Sequence, residues 1–113
     1  MVRIIETSME KDFTARERIK IKDFNNSIAI TEGTLIENPV GWAILEITSD
    51  AEPFYSYVIV TEDGTIYRTS AVCFQSFKSI FDELGIEEKY TIKVTAVQSK
   101  KYKGKTFYVC SLV

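Results

Sequence analysis

The stretch Ser99–Lys105 reads SKKYKGK and sets four lysines around one tyrosine. Lysine ammonium groups attract phosphates without demanding one geometry, and an aromatic ring among them can stack on an exposed base. From Lys89 to Val113 the chain carries Lys89, Lys93, Lys100, Lys101, Lys103 and Lys105 and no acidic residue. The run just before it, DELGIEE, collects Asp82, Glu83, Glu87 and Glu88. A net charge of −2 therefore conceals a local positive field. The competing reading of the loop is a solvated turn whose lysines protect a sheet edge from mispairing.

A second group of aromatics lies upstream, in FYSYVIV and TIYRTS. Alternation puts Tyr55, Tyr57 and Ile59 on one face of the first of these strands and Val58 and Val60 on the other. A tight turn at TEDG, with Gly64 free to take positive φ, sets Tyr67 opposite Ile59 and diagonal to Tyr57. Three tyrosines then share one face, as a stacking platform for bases or as a cross-strand aromatic cluster on a partly buried face. Arg68 falls on the Val58 face, where a long side chain can snorkel from a rim. Lys93 shares a face with Thr91 and Thr95, directed at solvent or at a bound strand.

Catalytic groupings are scarce. The chain has no histidine, which removes the commonest general base and metal ligand. It has no phosphate-cradling glycine loop, no GxSxG turn and no Cys/His cluster. The acidic pairs Asp82/Glu83 and Glu87/Glu88 fall at a helix end and in a connector, as solvated carboxylates do. Cys73 and Cys110 lack metal-ligand spacing and read as buried thiols, with a disulfide as the lesser alternative. A protein that is not an enzyme, with no metal or cofactor, is expected.

These residues need a scaffold, and 113 residues suit one domain. TLIENPVGWAILEITS reads as a long strand from about Thr34 to Ser49, with a bulge or bend at Pro39 and Gly41. The tyrosine hairpin follows. Phe74, Phe77, Phe81 and Leu84 then recur at helical spacing, with Ser70 as N-cap and Gly85 beyond the end. Tyr90–Gln98 alternates as a strand, and TFYVCSLV forms another. Near the start, RIIET suggests a short strand. Thr14 and Glu17 form a capping-box pattern that opens a helix over about Ala15–Phe24, although Ile19 and Ile21 alternate as in a strand.

The order bent strand, strand, strand, helix, strand, strand is that of an OB-fold, a five-stranded, partly open Greek-key barrel. The expected fold is mostly β: such a barrel over about residues 31–113, its helix between the third and fourth strands, with a short helical extension over about residues 1–30. An α+β sandwich has the same element order. In the barrel, the lysine loop joins the last two strands and closes over the tyrosine platform.

The hairpin VIVTEDGTIYRTS, the helix after it and the lysine-loop strands resemble the small single-stranded DNA-binding proteins of tailed phages of Gram-positive bacteria, of the protein-primed podovirus type. The resemblance spans about Thr34–Val113. It implies a replication protein that coats displaced single strands without sequence preference. The residue pattern itself nominates Tyr55, Tyr57, Tyr67, Arg68, Lys93, Lys100, Lys101, Tyr102, Lys103 and Lys105 as those that hold the strand. The alternative is an OB or β-barrel module that binds protein and not nucleic acid. Single-stranded DNA is the expected partner, and an open sheet edge invites a homodimer. Replication proteins would have to be met without an acidic tail. No apolar run suits a signal peptide or a membrane span, so a cytoplasmic protein is expected, in the host cytoplasm if the chain is of phage origin.

Overall fold

A computed structural model of the chain describes residues 2–8, 13–23, 26–48, 52–101 and 104–113. The elements in chain order are β1 (Val2–Thr7), α1 (Ala15–Lys22), β2 (Ile28–Ala29), β3 (Leu35–Glu37), β4 (Pro39–Ile47), β5 (Phe54–Thr61), β6 (Ile66–Thr69), α2 (Ala71–Leu84), β7 (Thr91–Gln98) and β8 (Thr106–Leu112). The fold is mostly β. One sheet has the order β1-β4-β5-β6-β2 and the other β3-β7-β8.

The bend expected at Pro39 and Gly41 is where the chain changes sheets. Asn38 takes a φ of 52°, and the register shifts between Pro39 and Gly41. Before the bend, β3 pairs antiparallel with β7; after it, β4 pairs with both β1 and β5. A Cβ at Gly41 would lie 2.8 Å from the ring of Phe13 and 3.0 Å from Ser8 Oγ, so a side chain there must displace its neighbours. The expected end of this strand at Ser49 lies outside the described residues.

The tyrosine hairpin has the anticipated register, with Ile59 opposite Tyr67 and Val58 opposite Arg68. Gly64 has a φ of 91°. The Asp63 carboxylate accepts from Thr61 Oγ1 at 2.6 Å and from the Thr65 N–H at 2.9 Å. Those bonds hold its pKa below the ordinary value. Their contribution is therefore present above the unfolded carboxylate pKa and fades as pH falls through the lowered one.

Each face of the larger sheet is covered over part of its area. On one side α2 inserts Phe74, Phe77 and Phe81, all fully buried, against Trp42 and Ile59 of this sheet and Ile92 and Val94 of the other. On the other side Phe13 and Ile21 pack on Ala43, Leu45, Val58, Val60 and Ile66. The capping box of α1 forms: Thr14 Oγ1 accepts from the Glu17 N–H at 3.2 Å, and Glu17 Oε1 accepts from the Thr14 N–H at 3.1 Å. Ile19 is exposed while Ile21 is buried, so the alternation that suggested a strand is two faces of one helix. The expected end of α1 at Phe24 lies outside the described residues. The first thirty residues thus supply the outer strand β1 and the short strand β2 as well as the helix.

The sheets are not closed into a barrel. Closure would need β8 beside β6, but β2 occupies that edge. Ile28 pairs in parallel with Tyr67 and Ala29 with Arg68, and the Ile30 N–H donates to the Arg68 carbonyl at 3.0 Å. On the other side, Ser76 of α2 takes up the outward peptide groups of Cys110: its Oγ accepts from the Cys110 N–H at 2.9 Å and donates to the Cys110 carbonyl at 3.1 Å. A gap remains between the sheets.

Candidate functional site

That gap is an open cleft of about 490 Å³. One wall is the start of β5 and the end of β6, with Phe54, Tyr55, Arg68 and Thr69; the other is the start of β8, with Thr106, Phe107 and Tyr108. Ala29 and Ile30 lie at one end, and Ser70 and Val72 bring in the first turn of α2. Phe54, Tyr55 and Val72 are each about half exposed, at 51%, 52% and 54%. These side chains gather at the mouth of one cleft rather than lying scattered over the surface.

The hydrogen-bond phase of β8 adds a polar component. Ser99 N–H donates to the Lys105 carbonyl and Val113 N–H to the Thr91 carbonyl, so alternate residues of β8 bond β7. The residues between them, Thr106, Tyr108 and Cys110, turn their peptide groups away from β7. Ser76 meets those of Cys110. Those of Thr106 and Tyr108 point out along the open edge where both residues line the cleft.

No carboxylate is among the described residues lining this cleft. Arg68 borders the cleft from the Val58 face of the sheet, where its Nη1 donates to the Ser27 carbonyl and, at 3.0 Å, to Ser27 Oγ. The N-terminal end of α2, the positive end of its dipole, borders the cleft. Asp82, Glu83 and Glu87 sit at the opposite end of that helix around a separate shallow groove. Ser70 occupies the N-cap position as expected, but its side chain makes no capping bond.

The anticipated site residues divide. Tyr55 and Arg68 line the cleft. Tyr57 and Tyr67 do share its face of the sheet, but that face is not an open platform there. Tyr57 is half-buried, with its ring 5.0 Å from that of Phe74 at 31°. Tyr67 is packed against the same core, and its hydroxyl donates to the Leu35 carbonyl at 3.4 Å. Burial, followed by the carboxylates of Asp63 and Glu37, raises the pKa of its phenol. For these two residues the cross-strand aromatic cluster describes the environment better than the platform, because α2 covers Tyr57 and the Tyr67 hydroxyl reaches the Leu35 carbonyl of β3. Lys93 is exposed on the outer face of the smaller sheet, between Leu35 and Ser111, away from the cleft lining. Lys100, Lys101 and Lys105 are exposed on the hairpin, and Lys105 directly precedes Thr106 at the cleft. Tyr102 and Lys103 lie outside the described residues.

Phe54, Phe107, Tyr108 and Val72 were missed. Their signal was a pair of Phe-Tyr dipeptides, Phe54–Tyr55 and Phe107–Tyr108, each at the start of a strand. Adjacent aromatics in a strand point to opposite faces, so both faces must be covered or one ring is left at a surface. Two such pairs at strand ends mark where the sheets run beyond their covering helix.

Among the described residues, no group of three or more His, Cys, Asp or Glu is placed to hold a metal ion. No helix among them is long and apolar enough to cross a membrane. The chain matches no protein-family model, no curated protein and no solved structure.

Proposed function

We propose that the cleft between the two sheets binds single-stranded DNA without sequence preference, so that the protein coats and shields single strands during replication, as its resemblance to phage proteins of that kind implies. The observation that carries this reading is the meeting of half-exposed aromatic side chains and Arg68 in a cleft lined by no described carboxylate. Bases stack on Tyr55 and on the other aromatic rings at the rim of the cleft, each stacked base contributing roughly 1–3 kcal/mol whatever its identity. Phosphates are met by Arg68 and by the lysines of the adjoining hairpin, Lys100, Lys101 and Lys105. We read the core as an opened OB-type arrangement: β3 and β4 stand for its bent first strand, then β5, β6, α2, β7 and β8, with ligand in the gap between the third and fifth strands.

The test is fluorescence anisotropy of a dye-labelled thymidine homopolymer, with duplex of equal length as comparison. Trp42 is 5% exposed and packed against Phe74 in the core, so its own emission is a poor reporter. Binding to the single strand should be tighter than to duplex. It should weaken linearly on logarithmic axes as salt rises, by about 0.7 for each phosphate contact. Folded protein that leaves the oligonucleotide free at low salt contradicts the proposal.

The open edge of β8 favours a second reading, a module that takes an extended polypeptide, including the same edge of another copy, through the peptide groups of Thr106 and Tyr108. Under that reading single strands do not compete with the partner, and salt changes affinity only mildly.

A further inference from the structure

Cys73 stands in the first turn of α2 and Cys110 near the end of β8, and their Sγ atoms are 3.6 Å apart. Both are buried, Cys73 fully and Cys110 with 8% exposure. Their separation is fixed by the junction beside them. Ser76, one turn after Cys73 on the same helix, bonds both peptide groups of Cys110, so helix and strand cannot slide past one another without breaking two hydrogen bonds. A disulfide places its sulfurs at about 2.05 Å. Closing the remaining gap calls for side-chain rotation within a junction that is already aligned.

The two thiols are not equivalent. The hydrogen bond shared with Cys110 lowers the pKa of Cys73, burial opposes that, and the Thr69 side chain adds to the lowering. The same hydrogen bond and burial push the Cys110 thiol up. The two thiols therefore differ in ease of ionisation, an asymmetry shared by oxidisable pairs with a resolving thiol.

We propose that Cys73 and Cys110 are a peroxide-oxidisable pair that closes to a disulfide within the folded chain and ties α2 to β8. The Cys73 thiolate attacks one oxygen of hydrogen peroxide; the O–O bond breaks, hydroxide leaves, and Cys73 becomes a sulfenic acid. The Cys110 sulfur then attacks the Cys73 sulfur. The S–O bond breaks, and the departing hydroxide takes the Cys110 proton as water. Two thiols and one peroxide thus give one disulfide and, once the first hydroxide is protonated, two waters. Peroxide is little larger than water and needs only a brief opening at the first turn of α2. Val72 and Tyr108, neighbours of the pair on the same two elements, line opposite parts of the cleft. The tie therefore fixes the first turn of α2 against the β8 wall of the cleft, a consequence that rests on the proposed binding site although the thiol chemistry does not.

The experiment treats the folded, reduced protein with hydrogen peroxide, removes the oxidant, denatures, alkylates with iodoacetamide and measures the intact mass. The expected product is a monomer about 2 Da lighter than the reduced chain, with no alkylation and full reversal by dithiothreitol. Its thermal midpoint should rise by on the order of 10 °C. Two alkylated thiols, a gain of about 32 Da on one cysteine, or a disulfide-linked dimer would overturn the proposal. In Cys110→Ser, dimedone should label Cys73 after peroxide, and absence of that label in a folded variant contradicts the assigned order. None of these readouts involves nucleic acid, so failure of DNA binding leaves them intact and their failure leaves the binding test intact.

Discussion

Tyr55 and Tyr57 lie two residues apart on one strand and one face, yet one is about half exposed at a cleft and the other rests on Phe74 in the core. The difference is the position of α2. Its buried phenylalanines begin at Phe74 and run toward the C-terminal end, so Tyr57 and Tyr67 are covered while the start of β5 lies beyond the helix. Along β8 the same boundary falls at Tyr108, which packs against the core and also lines the cleft, beyond Cys110, whose peptide groups Ser76 meets. One sheet face thus has a structural half and a half open to a ligand. Strand periodicity alone does not separate them.

Perturbing each half should move a different measurement. The largest effect is expected in the covered half: Phe74→Ala removes a ring that touches Trp42, Tyr57 and Phe77 and should cost about 3–5 kcal/mol in urea denaturation. A loss below about 1 kcal/mol would mean that α2 does not form the core described. On the opposite face of the same sheet, Gly41→Ala forces a Cβ against Phe13 and should cost about 1–3 kcal/mol without touching the cleft.

The open half should behave in reverse. Tyr55→Ala should leave stability within about 0.5 kcal/mol and weaken single-strand binding by about 5- to 150-fold across all base compositions alike. Tyr57→Ala should lower stability while leaving the affinity of the folded fraction nearly unchanged. Equal binding losses in the two variants would erase the distinction between the halves. The smallest effect is expected at the hairpin, where Lys105→Gln should lessen the salt dependence by about one phosphate contact, with little change in urea midpoint.

Much of this arrangement was legible in residue patterns. The DG turn and alternating aromatics placed Ile59 opposite Tyr67, helical spacing of phenylalanines located α2, and Pro39 with Gly41 marked the change of sheet. The covering of Tyr57 was not legible, because alternation assigns a face but not what lies over it. Nor was the open barrel. Strand β2 is two residues, Ile28 and Ala29, too short for any periodicity, yet it occupies the edge that barrel closure would need. The cleft aromatics were overlooked for a related reason: Phe107 and Tyr108 read as an ordinary closing strand until its neighbour on the open side is known to be missing.

The most direct test of the cleft as the binding surface is a titration of isotope-labelled protein with a short thymidine oligonucleotide, followed through backbone amide chemical shifts. Shifts should concentrate at Phe54–Ser56, Arg68–Val72 and Thr106–Tyr108, extend to Lys100 and Lys101, and leave the groove of Arg3, Arg18 and Lys22 beside β1 unchanged. Shifts centred on that second groove, or an unchanged spectrum at low salt, would contradict binding at the cleft.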